Sequence, residues 1–571
     1  MMWKPLTVGA NFLWFVSTIP STLRWYRATW NVARVQEKVL RDLVDRNSNT
    51  VFGKQHSFGT VATIGEYQNQ VPQRTYEGFD SYITAIAEGA NGVLTDEYVK
   101  LLEPSSGTTG GKKLVPYTDT LQREFQAGID PWINRLYRTH PRMFLGKAYW
   151  SVAPFADREC TQGGIPIGFA TDAEYLGSLQ QAVVGTVMAV PQEVSSLKDV
   201  KAFRYVTALF LLATRDLTLI SVWHPSFLTL LFDVLEQQVE HLTTDVGHGT
   251  ISCEQVPLDL LGTLERKLSA DKRRAQEICR IFRTRTGKPG KWKGAQGKTL
   301  YEELWPRLSV VSCWGDAQAR HFFDKLRTFF PNTYCEPKGL IATEGFVSFP
   351  VGGMYGSALS LLSHFFEFQE VEDKVTAKVL LAHELQIGHR YTVVLSTSGG
   401  LYRYDLGDIV EVLSFQAQCP IIRFVGKQAS VVDVCGEKLT EIEVTEVVQH
   451  AFDRFGVQPD FWLLAPEVLN SNTAGYTLFF QNPGTIEFQV DTMHDIVCEV
   501  DTELERNFHY AYCKKLHQLQ PIRVFMIDSA SNPTRQYLDT CHSEGQRLGN
   551  IKPRVLHPGM HWSTIFTGKY V

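Results

Sequence analysis

The sequence predicts an α/β protein: a large N-terminal domain of mixed sheets and helices over residues 1–427, then a small α+β domain over residues 428–571. Three observations predict it. The chain has 571 residues, more than one ordinary hydrophobic core organises. Short β-like apolar runs alternate with helical stripes through most of its length. The last part reads in the order β-α-β-β-α-β, as in a compact α+β unit.

The elements follow in order. Val32, Val35, Val39, Leu40 and Leu43 recur at helical spacing and predict a helix over 30–47. Val99 to Leu102 reads as a strand that runs into a Ser/Gly/Thr loop. Leu121, Phe125, Ile129, Trp132, Ile133 and Leu136 form one stripe of a following helix, which Thr118 or Asp119 can cap. Residues 203–240 read as buried helices around Ser221-Val-Trp-His-Pro225. Leu308 to Trp314 reads as a strand, Ala319 to Phe330 as a helix, and Gly339 to Ala342 as a further short strand. Val393 to Ser396 and Tyr402 to Val412 predict a hairpin-rich β region. In the small domain Val431 to Val434 is strand-like. Thr440-Glu-Ile-Glu443 is a capping box, and Val444, Val447, Val448, Ala451, Phe452 and Phe455 give the helix an apolar face that ends at Gly456. Phe461 to Leu464 and Tyr476 to Phe480 read as strands, 492–518 as helix, and Ile522 to Ile527 as strand.

Composition narrows the function classes. Hydrophobic residues make up 44%, charged residues 20%, and the formal net charge is −5, a soluble globular balance that favours neither nucleic acid nor an anionic membrane as main partner. The basic stretch 265–298 carries its aromatic content only at Trp292, so it reads as a solvated helix and surface loop rather than a nucleic-acid patch. Ten cysteines form no C-x-x-C pair and no zinc spacing. They read as reduced, mostly buried residues of a cytoplasmic protein, with Cys435 the one candidate catalytic thiol. Leu6 to Leu23 is uncharged, but Asn11, Ser17, Thr18, Pro20, Ser21 and Thr22 interrupt it. It reads as a packed N-terminal helix rather than a targeting or membrane-surface segment, and no integral membrane span is expected.

Five motifs carry chemistry. Ser105-Ser106-Gly107-Thr108-Thr109-Gly110-Gly111-Lys112 follows a strand. Small hydroxyl residues and glycines there let backbone N–H groups and hydroxyls reach phosphate oxygens, and Lys112 or Lys113 can neutralise phosphate charge. It is not a Walker A loop, because the Gly-x4-Gly-Lys spacing is absent. Thr343-Glu344 offers a hydroxyl for a phosphate and a carboxylate for Mg2+. In Leu401 to Val410, Gly407 suits a tight turn and Asp408 suits two ribose hydroxyls. Phe424-Val-Gly426-Lys427 and Gly436-Glu-Lys438 place basic groups and turn-forming glycines at the domain junction. Lys552, in Ile551-Lys-Pro-Arg554, is a late basic group. Each motif alone has a bland reading as a loop, turn or exposed basic segment.

Their order does not. Ser105 to Lys112 with Pro116-Tyr117-Thr118, the Tyr402-to-Val410 segment and Gly436-Glu-Lys438 resemble the auxin-responsive GH3 family of acyl acid amido synthetases, within the adenylate-forming superfamily, over nearly the whole chain. The resemblance implies a large adenylate-forming domain that takes ATP and the acyl acid. It implies ATP with Mg2+, and adenylation of a small carboxylic acid followed by amide formation with an amino acid. It assigns Ser105, Ser106, Gly107, Thr108, Thr109, Gly110 and Lys112 to the phosphates, and Thr343 to AMP. It assigns Glu344 to the metal, Asp408 to ribose, Phe424 and Lys427 to the nucleotide, and Lys552 to the charge that develops during adenylation. Ile129 and Ile133 are acyl-pocket candidates on the helix after the phosphate loop. Two positions depart from the family pattern. Gly339-Leu-Ile-Ala-Thr-Glu344 stands where plant members carry Tyr-x-Ser-Ser-Glu, and Lys427 stands where the superfamily usually has Arg. Thioester synthesis with coenzyme A and a catalytically inactive binding protein are the alternatives.

Overall fold

The computed structural model describes residues 5–106, 112–151, 159–169, 185–284, 298–352, 355–371, 379–428, 430–470, 473–482, 490–544, 546 and 551–571. The chain divides into two compact units, Met1–Gly315 with Phe322–Phe424 and Asp316–His321 with Val425–Val571. Both sheets and helices are present, as an α/β reading requires.

Two layers of β structure organise the larger unit. A four-stranded sheet runs Lys147–Trp150, Leu217–Ser221, Val310–Cys313 and Tyr334–Pro337, each strand parallel to the next. Helices intervene at Val200–Ala213, Pro225–Gln237 and Arg320–Phe329. Leu217–Ser221 is buried at every position, the pattern of a strand covered on both faces. That is why 203–240 contains a strand where helices alone were expected. A seven-stranded sheet follows in the order Val379–Leu381, Phe365–Glu370, Arg390–Ser396, Tyr404–Gln416, Cys419–Lys427, Ser357–Leu359 and Ser348–Pro350. A separate antiparallel hairpin pairs Leu101–Ser106 with Lys112–Tyr117. Thr118 caps the helix Asp119–Thr139 by accepting from the Leu121 N–H.

The expected strand at 339–342 lies earlier, at Tyr334–Pro337. Gly339 runs flush against the strand Ser348–Pro350, where an added Cβ would meet the Ser348 carbonyl oxygen at 2.1 Å. Leu340 accepts from the N–H groups of Val347 and Ser348, both at 3.0 Å. The segment is therefore consumed by a local turn and cannot join the parallel sheet.

The smaller unit packs helices Glu441–Arg454 and Val490–Leu504 on a sheet ordered Phe461–Asn470, Thr473–Gln481, Leu519–Ile527 and Gly568–Tyr570. Its core joins Val444, Val448 and Phe452 to Trp462, Leu478 and Ile496. The capping box forms: Glu443 N–H donates to Thr440 Oγ1 at 3.2 Å and Thr440 N–H to Glu443 Oε2 at 3.0 Å. Gly456 takes a φ of +65° just after the helix, where a glycine costs least. Two details differ from expectation. Val431–Val432 pairs only with Leu439–Thr440, so Gly568–Tyr570 is the fourth strand of the sheet. The 492–518 helix is two, because Asn507 accepts from the N–H groups of His509 and Tyr510 and restarts the helix at Phe508–Lys515. All ten cysteines are free thiols, and four of them are buried, fewer than expected.

A buried ion pair fixes the centre of the seven-stranded sheet. Arg403 Nε donates to Glu367 Oε2 at 3.0 Å, and its Nη1 donates to the carbonyls of Gln68 and Val71. Arg403 holds a left-handed φ of +49°, which a non-glycine residue keeps only when its surroundings over-determine it. Glu367→Ala strands a buried guanidinium, so a loss of about 3–5 kcal/mol is expected. It is measured as a fall in the urea midpoint of the larger unit, and an unchanged midpoint contradicts the assignment.

Candidate functional site

The hairpin Leu101–Ser106/Lys112–Tyr117 presents the first motif. Gly107, Thr108, Thr109, Gly110 and Gly111 lie outside the described residues, as do the side chains of Ser106 and Lys112. The flanks are well fixed. Tyr76 hydroxyl accepts from the Leu114 N–H at 2.7 Å, and Lys113 Nζ lies 5.5 Å from the Tyr76 ring centroid. Ser105 Oγ donates to Glu344 Oε1 at 3.0 Å, across 239 residues of sequence.

Glu344 owes its position to a tight turn. Ala342 N–H donates to the Gly345 carbonyl at 3.0 Å and Gly345 N–H to the Ala342 carbonyl at 3.2 Å, leaving Thr343 and Glu344 as the two central residues. Thr343 is half-buried and Glu344 is 7% exposed. The turn is tied from below. Phe346 N–H donates to His364 Nε2 at 2.9 Å, so the ring proton sits on Nδ1, 3.0 Å from Glu124 Oε2. Glu124 also accepts from the Ser398 N–H and hydroxyl. A Cβ on Gly345 would stand 2.9 Å from His364 Nε2, so the close approach of ring to turn requires glycine.

Asp408 is buried, 2% exposed. Thr392 pairs with Ile409 and Val394 with Asp405, so the step from 392 to 394 faces the step from 409 to 405. The surplus is a bulge at Leu406-Gly407-Asp408. Bulges re-aim side chains beside functional sites. Gly407 has φ +68°, and its N–H donates to Asp405 Oδ1 at 2.9 Å. Gly407 therefore turns a bulge within a strand rather than a hairpin end.

Tyr404 brings the second and third motifs together. Burial first, then the nearby carboxylates of Glu344, Asp408, Glu77 and Asp405, push its phenol well above the ordinary tyrosine range. Burial and Asp408 likewise push Asp405 up, against the opposing hydrogen bond from Gly407. Four carboxylates thus bear on one buried hydroxyl, and carboxylate oxygens are the ligands a hard divalent cation takes.

Ile129 and Ile133 are buried in the core of the larger unit. Phe424 is half-buried at the end of that unit. Lys427 and Lys552 belong to the smaller unit, both half-buried. Lys552 precedes a segment held by Val555, whose N–H donates to Glu441 Oε1 at 3.1 Å and whose carbonyl accepts from Leu464 N–H at 2.8 Å. Gly426 is required by packing, since a Cβ would meet Ile442 Cγ1 at 2.5 Å, whereas Gly436 does turn the chain at φ +105°. Glu437 anchors that loop. It accepts from the N–H groups of Val434 and Cys435 and from the Tyr476 hydroxyl, and these donors hold its carboxyl low although burial opposes it. Burial and Glu437 push the Cys435 thiol up, which keeps it protonated and a poor nucleophile. His224 is a packed residue: its Nδ1 accepts from the Ser226 N–H at 3.2 Å and caps a helix.

Sequence reasoning missed Lys338. Buried, it donates to Ser221 Oγ at 2.7 Å and lies 4.6 Å from the Trp132 ring centroid and 5.8 Å from that of Trp223. Ser221 and Cys313 end parallel strands, the edge where α/β sheets bind ligands. The available signal was a serine at or near the end of each of two apolar strands, Ser221 and Ser312.

Gly345→Ala forces the His364 ring off the turn. A loss of about 1–3 kcal/mol is expected, the usual cost of overpacking, read as a lowered thermal midpoint. A midpoint equal to the parent's contradicts the His364 contact.

Residues 23–335 match the GH3 family N-terminal domain, and residues 357–427 match the GH3 family central domain. The chain is 25% identical over 544 residues to the indole-3-acetic acid-amido synthetase GH3.10 of Arabidopsis thaliana, covering 87% of this chain and 88% of that one. It is 23% identical over 565 residues to the jasmonoyl–L-amino acid synthetase GH3.5 of Oryza sativa subsp. japonica, covering 93% of each. Its fold matches that of the AtGH3.15 acyl acid amido synthetase in complex with 2,4-DB with a TM-score of 0.83, at 19% identity and 95% coverage of both chains.

Proposed function

The chain belongs to the GH3 family, and on that premise we propose that it is an acid–amino acid ligase that uses ATP and Mg2+. It adenylates a small carboxylic acid and transfers the acyl group to an amino acid, forming an amide. The observation that carries the reading is the Ser105–Glu344 hydrogen bond. It joins the hydroxyl loop to the acidic turn, the two motifs that phosphate and metal chemistry need side by side.

The chemistry explains why these residue types recur. A carboxylate is a poor electrophile and must approach an anionic phosphate. Its oxygen bonds to the α-phosphorus as the bond to pyrophosphate breaks. The amine nitrogen then attacks the acyl carbon, and AMP leaves. The first step is limited by charge repulsion and alignment rather than by covalent help from the protein. Ser105 and the loop through Lys112 supply donors to the phosphates. Thr343 contacts AMP and Asp408 holds the ribose hydroxyls. Phe424 and Lys427 border the nucleotide, and Lys552 stabilises the charge that develops on the α-phosphate. The larger unit takes ATP and the acid, with Ile129 and Ile133 assigned to the acyl side.

The residues present fit Mg2+. Glu344 is a buried carboxylate that keeps one oxygen on Ser105 and, with Asp408, bears on Tyr404. Glu344 would hold the ion, which would supply positive charge to offset that of the phosphates.

Pyrophosphate exchange, screened over carboxylic acids, reads the first half-reaction without the acceptor. With the acid that supports it, Asp408→Ala and Lys552→Ala each lower the rate on the order of a hundredfold or more, at unchanged thermal midpoint. Glu344→Gln does the same and raises the Mg2+ requirement. Amide product appears on adding amino acids. Full exchange activity in both the Asp408 and Lys552 variants, or product with coenzyme A alone, contradicts the proposal.

A further inference from the structure

The helix Pro5–Ala28 packs with its polar residues inward. Asn11 Nδ2 donates to the carbonyls of Phe144 and Gly146 at 3.2 and 2.9 Å, and the Tyr137 hydroxyl donates to Asn11 Oδ1 at 2.7 Å. Asn134 Nδ2 donates to Thr18 Oγ1 at 3.0 Å, and Trp25 Nε1 to the Leu359 carbonyl at 3.2 Å. Thr7, Ala10, Trp14, Thr22 and Ala28 complete this buried side.

The opposite side is apolar and in solvent. Leu6 is 80% exposed, Phe12 56%, Leu13 61%, Val16 41% and Leu23 51%. At 3.6 residues per turn these positions, with Pro20 and Tyr26, share one arc of roughly 160°, along a rod about 36 Å long. A surface helix usually turns its apolar stripe to the core; here apolar side chains stand on both faces, Trp14 and Trp25 inward and this stripe outward. A contiguous exposed apolar stripe of that length marks a surface that something covers.

Charge identifies the occupant. Residues 1–36 hold Lys4, Arg24, Arg27 and Arg34 and no acidic residue, in a chain whose net charge is −5. Tyr26, 37% exposed, and Trp30, 73% exposed, stand beside these arginines at the end of the stripe. Apolar side chains, flanking aromatics and adjacent basic groups are what a bilayer interface with anionic headgroups takes up. Among the described residues this is the one helix long and apolar enough to cross a membrane, and its inner face is hydrogen-bonded to the rest of the larger unit.

We propose that the outward face of Pro5–Ala28 lies in the plane of an anionic phospholipid bilayer and docks the larger unit on it. The test is co-sedimentation of the full chain with vesicles of phosphatidylcholine, with and without phosphatidylserine. The parent chain binds both, more tightly with phosphatidylserine and less tightly as salt rises. The triple variant Leu13→Gln, Val16→Gln, Leu23→Gln lowers partitioning to both at least about tenfold, with an unchanged thermal midpoint because the three side chains are exposed. Arg24→Gln with Arg27→Gln lowers binding about tenfold to thirtyfold on phosphatidylserine vesicles and little on phosphatidylcholine. Three results overturn the proposal: no vesicle binding by the parent; binding that the triple variant retains in full; or a parent dimer in sedimentation equilibrium that ignores vesicles and that the triple variant dissociates.

Discussion

The half-buried carboxylate of Glu124 is the point on which the larger unit's site depends. It stands on the helix that follows the Ser/Gly/Thr loop, accepts from the backbone and hydroxyl of Ser398, and faces the Nδ1 proton of His364. His364 in turn accepts from Phe346, directly behind the Glu344 turn. One carboxylate thus joins the helix, the turn between two sheet strands, and the acidic loop. Each bond in the relay is to a group that would be costly to bury alone, so the elements hold together or not at all. Glu344 inherits its place from this relay, and Ser105 inherits its partner.

The second constraint is steric. The ring of His364 approaches Gly345 closely, and the chain at Gly339 lies flush on a neighbouring strand. At Asp408 the sheet itself is altered by a bulge, and the residue is buried. Carboxylates that bear on one buried phenol offer the oxygen ligands a divalent cation takes.

Much of this was legible in the sequence, and the reasons are local. Thr118, Thr440 and Glu443 announce helix starts because a hydroxyl or carboxylate must satisfy the first N–H groups. Gly456 marks a stop for the same kind of reason. The acidic turn and the bulged strand were recognisable as motifs because their residue types suit phosphate, metal and ribose. What was not legible depends on long-range register. Nothing in residues 401–410 says that two extra residues bulge opposite Val393, or that Asp408 is buried. The strand Tyr334–Pro337 is not legible because it carries Glu336 and Pro337, whereas 339–342 is the more apolar run, which packing against Ser348 keeps out of the sheet. Lys338 carries no motif at all; it becomes notable only once parallel strands bring Ser221 and Ser312 beside it. The N-terminal helix was legible as a helix, but the polar contacts of its inner face emerge only when Asn11 and Thr18 find partners 116 to 135 residues away.

The central claim is that Glu344 and Asp408, distant in sequence, serve one metal-bound nucleotide. Titration of Mn2+–ATP, followed by the electron paramagnetic resonance of free Mn2+, tests it without any knowledge of the acid or amine. The account predicts that the parent chain binds Mn2+–ATP, and that Glu344→Gln and Asp408→Asn each weaken binding by about tenfold or more with the thermal midpoint unchanged. Parent-like binding by both variants would contradict it.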